Sequence, residues 1–393
     1  MNKTLLASIL ASSLAVLDAS ADGEWTQFHG GPTHNNQRDG KLKIKNPKVA
    51  WHVADSFGQP TISGTDVYSG GRGLFRIHAE TGEVLGKVDV PMKGEDPEYY
   101  YAAAPVITEK SVIARRAGVV EARSRDLTKV LWETKLPGAS KKDYAYPAAL
   151  YEETLLLTMG SDLFAIDANS GEIDWQLSMG AGMNMVPVAA DGNVFAGCAN
   201  GRFIAVDIEE GTETWAFEGE GEFGYTSPVL VDGTIVVGDR GVRGGRRGAV
   251  VAIDAATGEK RWETEFGATG LSTPGVTKGV VFAGFGKTVG FFSLKDGKGQ
   301  SKPRIRCGSN AFGSPTIIGK HLLYGHLDGN LFVHDAKSGK LEWQFRVPDA
   351  QVGDFVHAHD RLYIGTTKGV VALENGKGRM KGNVLTWSPE DSE

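Results

Sequence analysis

Short apolar runs separated by glycine-rich turns recur along the chain every 40 to 46 residues. Eight units can be counted by their opening residues, which are Pro60, Pro105, Pro147, Pro187, Pro228, Pro274, Pro315 and Phe355. In the unit that opens at Pro315, the apolar runs lie at 316–318, 321–324, 331–334 and 340–345. Such runs, bounded by Gly, Asp and Ser, are typical of β-strands joined by tight turns. We therefore predict four antiparallel strands in each unit.

A second signature closes most units. In the clearest copies an Asp is followed four residues later by Gly and eight residues later by Trp, as at Asp254, Gly258 and Trp262. We expect the Asp carboxylate to bond backbone N–H groups of its turn and the Trp to pack between neighbouring units. A period of about 40 residues with four short strands is typical of a β-propeller. The prediction is an all-β, eight-bladed β-propeller of four-stranded antiparallel blades.

The eighth unit lacks its Trp strand, since its pattern stops after Leu373. A matching segment, Pro47-Lys-Val-Ala-Trp51, lies near the other end of the chain. We predict that this N-terminal strand around Trp51 completes the last blade. Such closure leaves no open sheet edge for aggregation.

The pattern divides the chain into four parts. Residues 1–21 resemble a secretory signal peptide, with an early Lys3, an apolar stretch and a small-residue cleavage site at Ala19-Ser-Ala21. An N-terminal segment at 22–48 precedes the propeller at 49–375, and a polar tail at 376–393 carries Trp387, which we expect to dock against a blade. We therefore expect a periplasmic or secreted protein with no integral membrane segment in the mature chain.

Composition adds three points. The 53 Gly and 15 Pro among 393 residues suit many short strands, and the net charge of −6 gives no indication of nucleic-acid binding. Cys198 and Cys307 fall in sheets that are not adjacent, so we expect two free thiols. His357 and His359 should share one face of a strand, but no carboxylate or cysteine stands at ligand spacing, and we predict no metal site.

The repeats and the opening Glu24-Trp-Thr-Gln-Phe-His-Gly-Gly-Pro-Thr-His34 resemble the PQQ-like β-propeller repeat. That family includes periplasmic quinoprotein dehydrogenases and a non-enzymatic BamB-like group. The resemblance implies the fold, whereas function must be argued from a site. In the dehydrogenases it implies a quinone held between a Trp and a disulfide of adjacent cysteines, beside a calcium ion. This chain has no adjacent cysteines and no lipid-attachment cysteine after its leader, so it departs from both groups.

One mouth of the predicted ring is lined by the residues just before each blade-opening position. The candidate binding residues there are Tyr100, Tyr101, Tyr144, Tyr146, Tyr225, Phe312 and Phe355. Aromatic enrichment is typical of interaction surfaces, although the same rings could instead pack beneath the loops. An insertion at 239–248 adds further candidates, Arg243, Arg246 and Arg247, whose forked side chains match carboxylates. The alternative is a solvated loop paired with nearby glutamates.

These patterns contain no convincing catalytic group. We therefore expect an exported, non-catalytic binding or scaffold propeller that docks a protein or peptide partner, including an acidic one, without a cofactor. The alternative is a PQQ-dependent quinoprotein oxidoreductase with a reduced site. There the arginines would hold the PQQ carboxylates, calcium would assist, and a carboxylate such as Asp354 would act as base.

Overall fold

The computed structural model describes residues 24–35, 37–38, 41–93, 96–97, 99–139, 144–241, 248–265, 272–285, 287–299, 305–306 and 313–392. Eight antiparallel sheets follow one another in chain order, and their first strands lie side by side around a central channel. The predicted eight-bladed β-propeller is confirmed.

Three short strands precede the first blade. They are β1 Glu24–Trp25, β2 Gln37–Arg38 and β3 Pro47–Val53, with a 3-10 turn at Phe28–Gly30. Blade 1 consists of β4 Thr61–Ser63, β5 Asp66–Ser69, β6 Gly73–His78 and β7 Val84–Asp89. A hairpin follows, formed by β8 Met92–Lys93 and β9 Asp96–Pro97. Blade 2 consists of β10 Val106–Ile107, β11 Ser111–Arg116, β12 Val119–Ser124 and β13 Val130–Lys135.

The next three blades have the same plan. Blade 3 consists of β14 Ala149–Tyr151, β15 Thr154–Met159, β16 Asp162–Asp167 and β17 Ile173–Ser178. Blade 4 consists of β18 Val188–Ala190, β19 Asn193–Gly197, β20 Arg202–Asp207 and β21 Glu213–Glu218. Blade 5 consists of β22 Val229–Val231, β23 Thr234–Asp239, β24 Ala249–Asp254 and β25 Lys260–Glu265.

The last three blades complete the ring. Blade 6 consists of β26 Gly275–Thr277, β27 Val280–Phe285, β28 Thr288–Ser293 and β29 Ile305–Arg306. Blade 7 consists of β30 Thr316–Ile318, β31 His321–Gly325, β32 Asn330–Asp335 and β33 Leu341–Arg346. Blade 8 contains β34 Val352–Ala358, β35 Arg361–Thr366 and β36 Gly369–Asn375. The tail forms β37 Met380–Lys381, β38 Val384–Thr386 and a 3-10 turn at Pro389–Ser392.

The N-terminal strand β3 is the outer strand of blade 8, as predicted. It pairs antiparallel with β36, with Trp51 opposite Ala372. The Trp51 side chain is buried, and its indole N–H donates to the Ala79 carbonyl of blade 1 at 3.0 Å. One strand therefore both closes the last sheet and links that sheet to the first blade.

The repeated Trp and Gly form a contact between successive blades. In blade 4, the Trp215 indole N–H donates to the Ala255 carbonyl of blade 5 at 3.1 Å, and its ring lies against Gly258. The same contact joins Trp132 to Gly171, Trp175 to Gly211 and Trp262 to Gly297. A Cβ at Gly258 would lie 2.6 Å from the Trp215 ring, so only glycine fits there without a shift. The repeat signature is thus the sequence of an inter-blade contact.

The repeated Asp is a turn residue. The Asp167 carboxylate accepts backbone N–H bonds from Asn169 at 3.0 Å and Ser170 at 2.6 Å. The pKa of Asp167 is lowered, first by the backbone bond from Ser170 and then by the Ser170 side chain. Hydrogen bonds to the charged form have this effect. These contacts agree with the expectation that the repeated Asp stabilises its turn.

The C-terminal tail adds strands to blade 7. Strand β38 pairs parallel with β33, so that Leu385 lies opposite Phe345. Trp387 is buried, with its ring centroid 6.4 Å from that of Phe345 and 4.9 Å from that of His52. Trp387 therefore docks as the sequence predicts, at the junction of blades 7 and 8.

Candidate channel segment and tyrosine patch

The N-terminal residues Glu24–His34, together with β2, lie inside the channel of the propeller; we call them the axial segment. Its Trp25 pairs with Ile62 of blade 1. Its carbonyl oxygens accept bonds from the inner strands of later blades, Thr26 from Ile107 at 2.7 Å, Pro32 from Ala189 at 2.8 Å and Thr33 from Leu230 at 2.9 Å. Strand β2 then pairs parallel with β30 of blade 7. The segment therefore bridges the first strands of blades on opposite sides of the ring.

The centre of the axial segment is buried. Phe28 packs with Ala104, Ala149 and Val186, which come from blades 2, 3 and 4. His29 and His34 have exposures of 1% and 0%. In the sequence, the Trp and Phe of this segment indicated only a resemblance to a family. The alternation of Trp25, Gln27 and His29 gives no sign of which sheets they meet, so the channel role was missed.

The two histidines of the axial segment face each other at a centroid distance of 5.7 Å. His34 Nδ1 lies 3.0 Å from the Pro228 carbonyl. The pKa of His34 is held well below its usual value, first by burial, then by the neighbouring His29, while the bond to Pro228 opposes the shift. His29 Nε2 lies 3.7 Å from Asp354 Oδ2 in blade 8. Burial therefore favours the neutral form of His34 near neutral pH.

A cluster of tyrosines lies at the mouth that the sequence singled out. Tyr144 is 84% exposed and Tyr225 39% exposed. The pKa of Tyr146 is raised, first by burial and then by its interaction with Tyr144 and Tyr225. The Arg240 guanidinium stacks 4.5 Å from the centre of the Tyr225 ring. We call Tyr144, Tyr146, Tyr225 and Arg240 the tyrosine patch.

The remaining aromatic candidates divide between surface and core. Tyr100 is 44% exposed and lies 5.7 Å from the Phe57 ring. Tyr101 and Phe355 are 3% and 1% exposed, so the expectation that they face a partner is corrected. The Tyr101 hydroxyl donates to Glu121 at 2.8 Å, and its pKa is raised, chiefly by burial. For these two rings, packing beneath the loops is the correct alternative.

Four candidates lie outside the described residues. They are Phe312, Arg243, Arg246 and Arg247. Arg240, at the start of the same insertion, is described and exposed.

A buried arginine holds the loop that carries Tyr146. Arg115 donates to the Tyr146 carbonyl at 2.6 Å and to the Thr158 carbonyl at 3.0 Å. Burial lowers the pKa of Arg115 to about 9, so the guanidinium is still charged at neutral pH. Sequence reasoning missed this residue, since an Arg in the run Ser111–Arg116 carries no signal that it points inward. Arg115 therefore fixes the position of Tyr146 relative to blade 2.

The described His, Cys and acidic side chains do not form a metal or thiol site. Among the described residues, no three His, Cys, Asp or Glu side chains are grouped as metal ligands. His359 lies in a turn with φ 51°, beyond the end of β34. The expectation that His357 and His359 share one face of a strand is therefore wrong. Cys198 is a buried free thiol, and Cys307 lies outside the described residues. In the described part of the chain, no helix is long and apolar enough to cross a membrane.

The fold and the repeat define the class of this protein, a PQQ-like eight-bladed β-propeller. The chain belongs to the family described as outer membrane protein assembly factor BamB, which matches residues 116–242 and 222–390. The Yersinia pestis protein of that name is 24% identical over 319 residues, which cover 75% of this chain and 67% of the relative. A quinohemoprotein alcohol dehydrogenase of Comamonas testosteroni is 41% identical over 76 residues, 18% of this chain and 11% of that enzyme.

Solved structures show the same fold. BamB from Moraxella catarrhalis matches with a TM-score of 0.66 and 18% identity, over 83% of this chain and 99% of that one. The quinohemoprotein alcohol dehydrogenase of Comamonas testosteroni matches with a TM-score of 0.70 and 11% identity, over 91% and 82%. Because both groups share the propeller at low identity, these matches describe the fold and not the function.

Proposed function

We propose that this protein is an exported, non-catalytic docking propeller of the cell envelope, and that it binds a protein partner through the tyrosine patch. Family membership supports a scaffold role, since the Yersinia pestis and Moraxella catarrhalis relatives carry the name BamB and the former is called an outer membrane protein assembly factor. By this reasoning the chain acts as a periplasmic scaffold in outer-membrane protein assembly.

The exposure of Tyr144 and Tyr225 is the observation that carries the proposal. Large aromatic side chains are usually buried, and exposed ones that cluster are typical of binding hot spots. Tyr144 and Tyr225 come from the loops that open blades 3 and 5, and both add to the raised pKa of the half-buried Tyr146. Arg115 anchors the Tyr146 loop, so the patch is presented with little ordering cost.

The charge of the patch favours an acidic partner segment. Arg240 is exposed, and among the described residues no carboxylate forms an ion pair with it. A guanidinium stacked on an aromatic ring keeps its N–H edge free for a carboxylate. Arg243, Arg246 and Arg247 follow in the same insertion and would add to the positive charge.

Photocrosslinking tests the patch. With p-benzoylphenylalanine at Tyr144 or Tyr225, irradiation of cells is expected to give one major adduct with an envelope protein. The matched control sites are Lys110 and Lys278, which lie in first-to-second-strand turns at the opposite end of the blades. Adducts of the same partner from both pairs of sites would contradict the assignment of this face.

The energetic counterpart uses the partner identified by crosslinking. Tyr225→Ala is expected to weaken binding by about 2 kcal/mol, roughly 30-fold in Kd, because truncation removes a ring that the partner covers. Lys278→Ala, at the opposite end of the blades, is the control and should change Kd little. The measurement is calorimetric titration of the purified proteins. A loss of melting temperature in Tyr225→Ala with unchanged affinity would place the ring in the core instead.

The quinoprotein alternative is less well supported by the residues. Asp354, the carboxylate considered as a base, accepts the Ser314 backbone N–H at 2.6 Å and lies beside His29 of the axial segment. The channel centre is filled by Phe28, His29 and His34. The two cysteines stand at positions 198 and 307, so adjacent cysteines are absent from the sequence. The described residues do not fit a quinone and its calcium ion, and we propose that the chain binds neither.

Titration of the protein with PQQ and Ca²⁺ tests whether it binds this cofactor. The mature protein is expected to show no saturable change in PQQ absorbance and no rise in melting temperature with micromolar PQQ and Ca²⁺. A PQQ-dependent dehydrogenase stripped of its cofactor serves as the positive control. A saturable spectral change that requires Ca²⁺ would overturn the proposal and favour the oxidoreductase.

A further inference from the structure

We propose that the axial segment is an acid-released plug of the propeller channel. This inference is independent of the tyrosine patch and goes beyond the docking role. It rests on the way in which Glu24–His34 is held, on its two buried imidazoles and on the charged groups that face them.

The plug is held by short contacts that are separated along its length. Strand β1 forms a two-residue ladder with β4, and the Gln59 side chain accepts the His29 backbone N–H at 3.2 Å. The amides of Ile107, Ala189 and Leu230 each donate one bond to its carbonyl oxygens. The Gln27 side chain exchanges two bonds with the Leu150 backbone, at 2.7 and 3.1 Å. Blade strands exchange bonds along their whole length instead, as β15 and β16 do over six residue pairs. The segment can therefore leave while the blades stay intact, because local openings follow local bonding.

The two imidazoles of the plug have buried ring nitrogens without hydrogen-bond partners. Both ring nitrogens of His29 and Nε2 of His34 are buried with no hydrogen-bond partner. A neutral imidazole tolerates such a site far better than a cation, because burial of an unpaired charge carries a large desolvation cost. Protonation of His34 would place a charge at a fully buried position whose ring already lies 5.7 Å from His29.

The groups that face the pair do not compensate a proton on His34. Asp354 of blade 8 faces His29, at 3.7 Å, and one of its oxygens is already bound to the Ser314 N–H. His34 faces the Pro228 carbonyl and His29, and no charged oxygen contacts it in the described part of the chain. A proton on His34 is therefore opposed by burial and by its neighbour.

The direction of the pH effect follows. The pKa of His34 is depressed while the plug occupies the channel. The bound plug is therefore most stable above the ordinary His pKa near 6.5, and its stability falls as the pH drops below that value. If seated His34 stays neutral, the released fraction should rise about 20-fold between pH 7 and pH 5. Release would free the amides of Ile107, Ala189 and Leu230, giving the channel unpaired donors for an extended peptide.

Hydrogen exchange of the mature protein measures the release. The protection factors of the Ile107, Ala189 and Leu230 amides, corrected for intrinsic exchange, are expected to fall about 20-fold between pH 7 and pH 5. The amides of Leu156 and Ala165, paired within blade 3, are the internal reference and should keep their protection. Unchanged protection at the three channel amides, or an equal fall in blade 3, would overturn the proposal.

Two variants assign the effect to one ring. His34→Gln, which stays neutral, should abolish the pH dependence, whereas His78→Gln in the blade 1 turn should leave it unchanged. Persistence of the 20-fold change in His34→Gln would refute the role of this imidazole. If the plug of His34→Gln does not bind in the channel, the channel amides of this variant will already lack protection at pH 7. The comparison of the wild-type protein at pH 7 and pH 5 then decides whether the plug is released by acid.

Discussion

Deletion of residues 22–52 is expected to leave no stable, monomeric propeller. The deletion removes most of β3, so the edge of β36 from Gly369 to Asn375 loses its partner strand. It also removes Trp51, and replacement of a buried Trp alone typically costs about 3–5 kcal/mol. Since whole domains are stable by only about 5–15 kcal/mol, the loss is decisive. Circular dichroism melting and size-exclusion chromatography are the measurements, and we expect aggregation through the open edge.

Two shorter deletions separate the contributions to closure. Removal of 22–35 takes away most of the axial segment and spares β3, so the ring should remain folded with a lowered melting temperature. Removal of 376–393 uncovers β33 of blade 7 but leaves blade 8 closed, so its effect should also be smaller. A 22–52 deletion that melts like the mature protein would refute closure by β3.

The second large effect is expected at the inter-blade contact. Gly258→Ala places a Cβ 2.6 Å from the Trp215 ring, at a residue with φ +74°. The Trp215 ring donates to the Ala255 carbonyl and packs against Phe195 and Phe203, with centroids 5.8 and 6.4 Å away, so it has little freedom to move. Overpacking of this kind typically costs about 1–3 kcal/mol beyond the backbone strain. The free energy of unfolding, measured by denaturant titration, should therefore fall by more than strain alone predicts.

A matched glycine isolates the contact from the backbone. Gly192 has nearly the same conformation, φ +72°, but a Cβ there meets nothing within 4 Å. Gly192→Ala should therefore cost only the left-handed conformation, about 1 kcal/mol. Equal losses of unfolding free energy in Gly192→Ala and Gly258→Ala would show that the Trp215 contact does not contribute to the stability of the propeller.

The fold could be predicted closely because its information is local and repeated. Each Asp, Gly and Trp of the signature acts within one turn or against the next blade, so constant spacing along the chain becomes constant geometry in space. The closure of blade 8 could also be predicted, because the Trp strand that its sequence repeat lacks has one counterpart, around Trp51.

The candidate site was only partly predictable. Tyr144, Tyr101 and Phe355 all lie within a few residues of a blade-opening position, yet the first is exposed and the other two are buried. Their exposure depends on side chains from other strands, such as Glu121 of β12, which accepts the Tyr101 hydroxyl bond. Arg115 likewise anchors Tyr146 from the preceding blade. Such pairings join residues that are distant in sequence and carry no period.

The sequence by itself determined the eight blades, their order and the strand that closes them, because repeated strands with one Trp contact each assemble into a single ring. Only the tertiary structure decided that Glu24–His34 fills the channel and which rings at the predicted mouth are exposed, as Tyr144 and Tyr225 are, or buried, as Tyr101 is. The physical reason is that one non-repeating segment contacts many blades at single residues. No local pattern encodes such contacts, since each depends on where the ring places a strand from elsewhere in the chain.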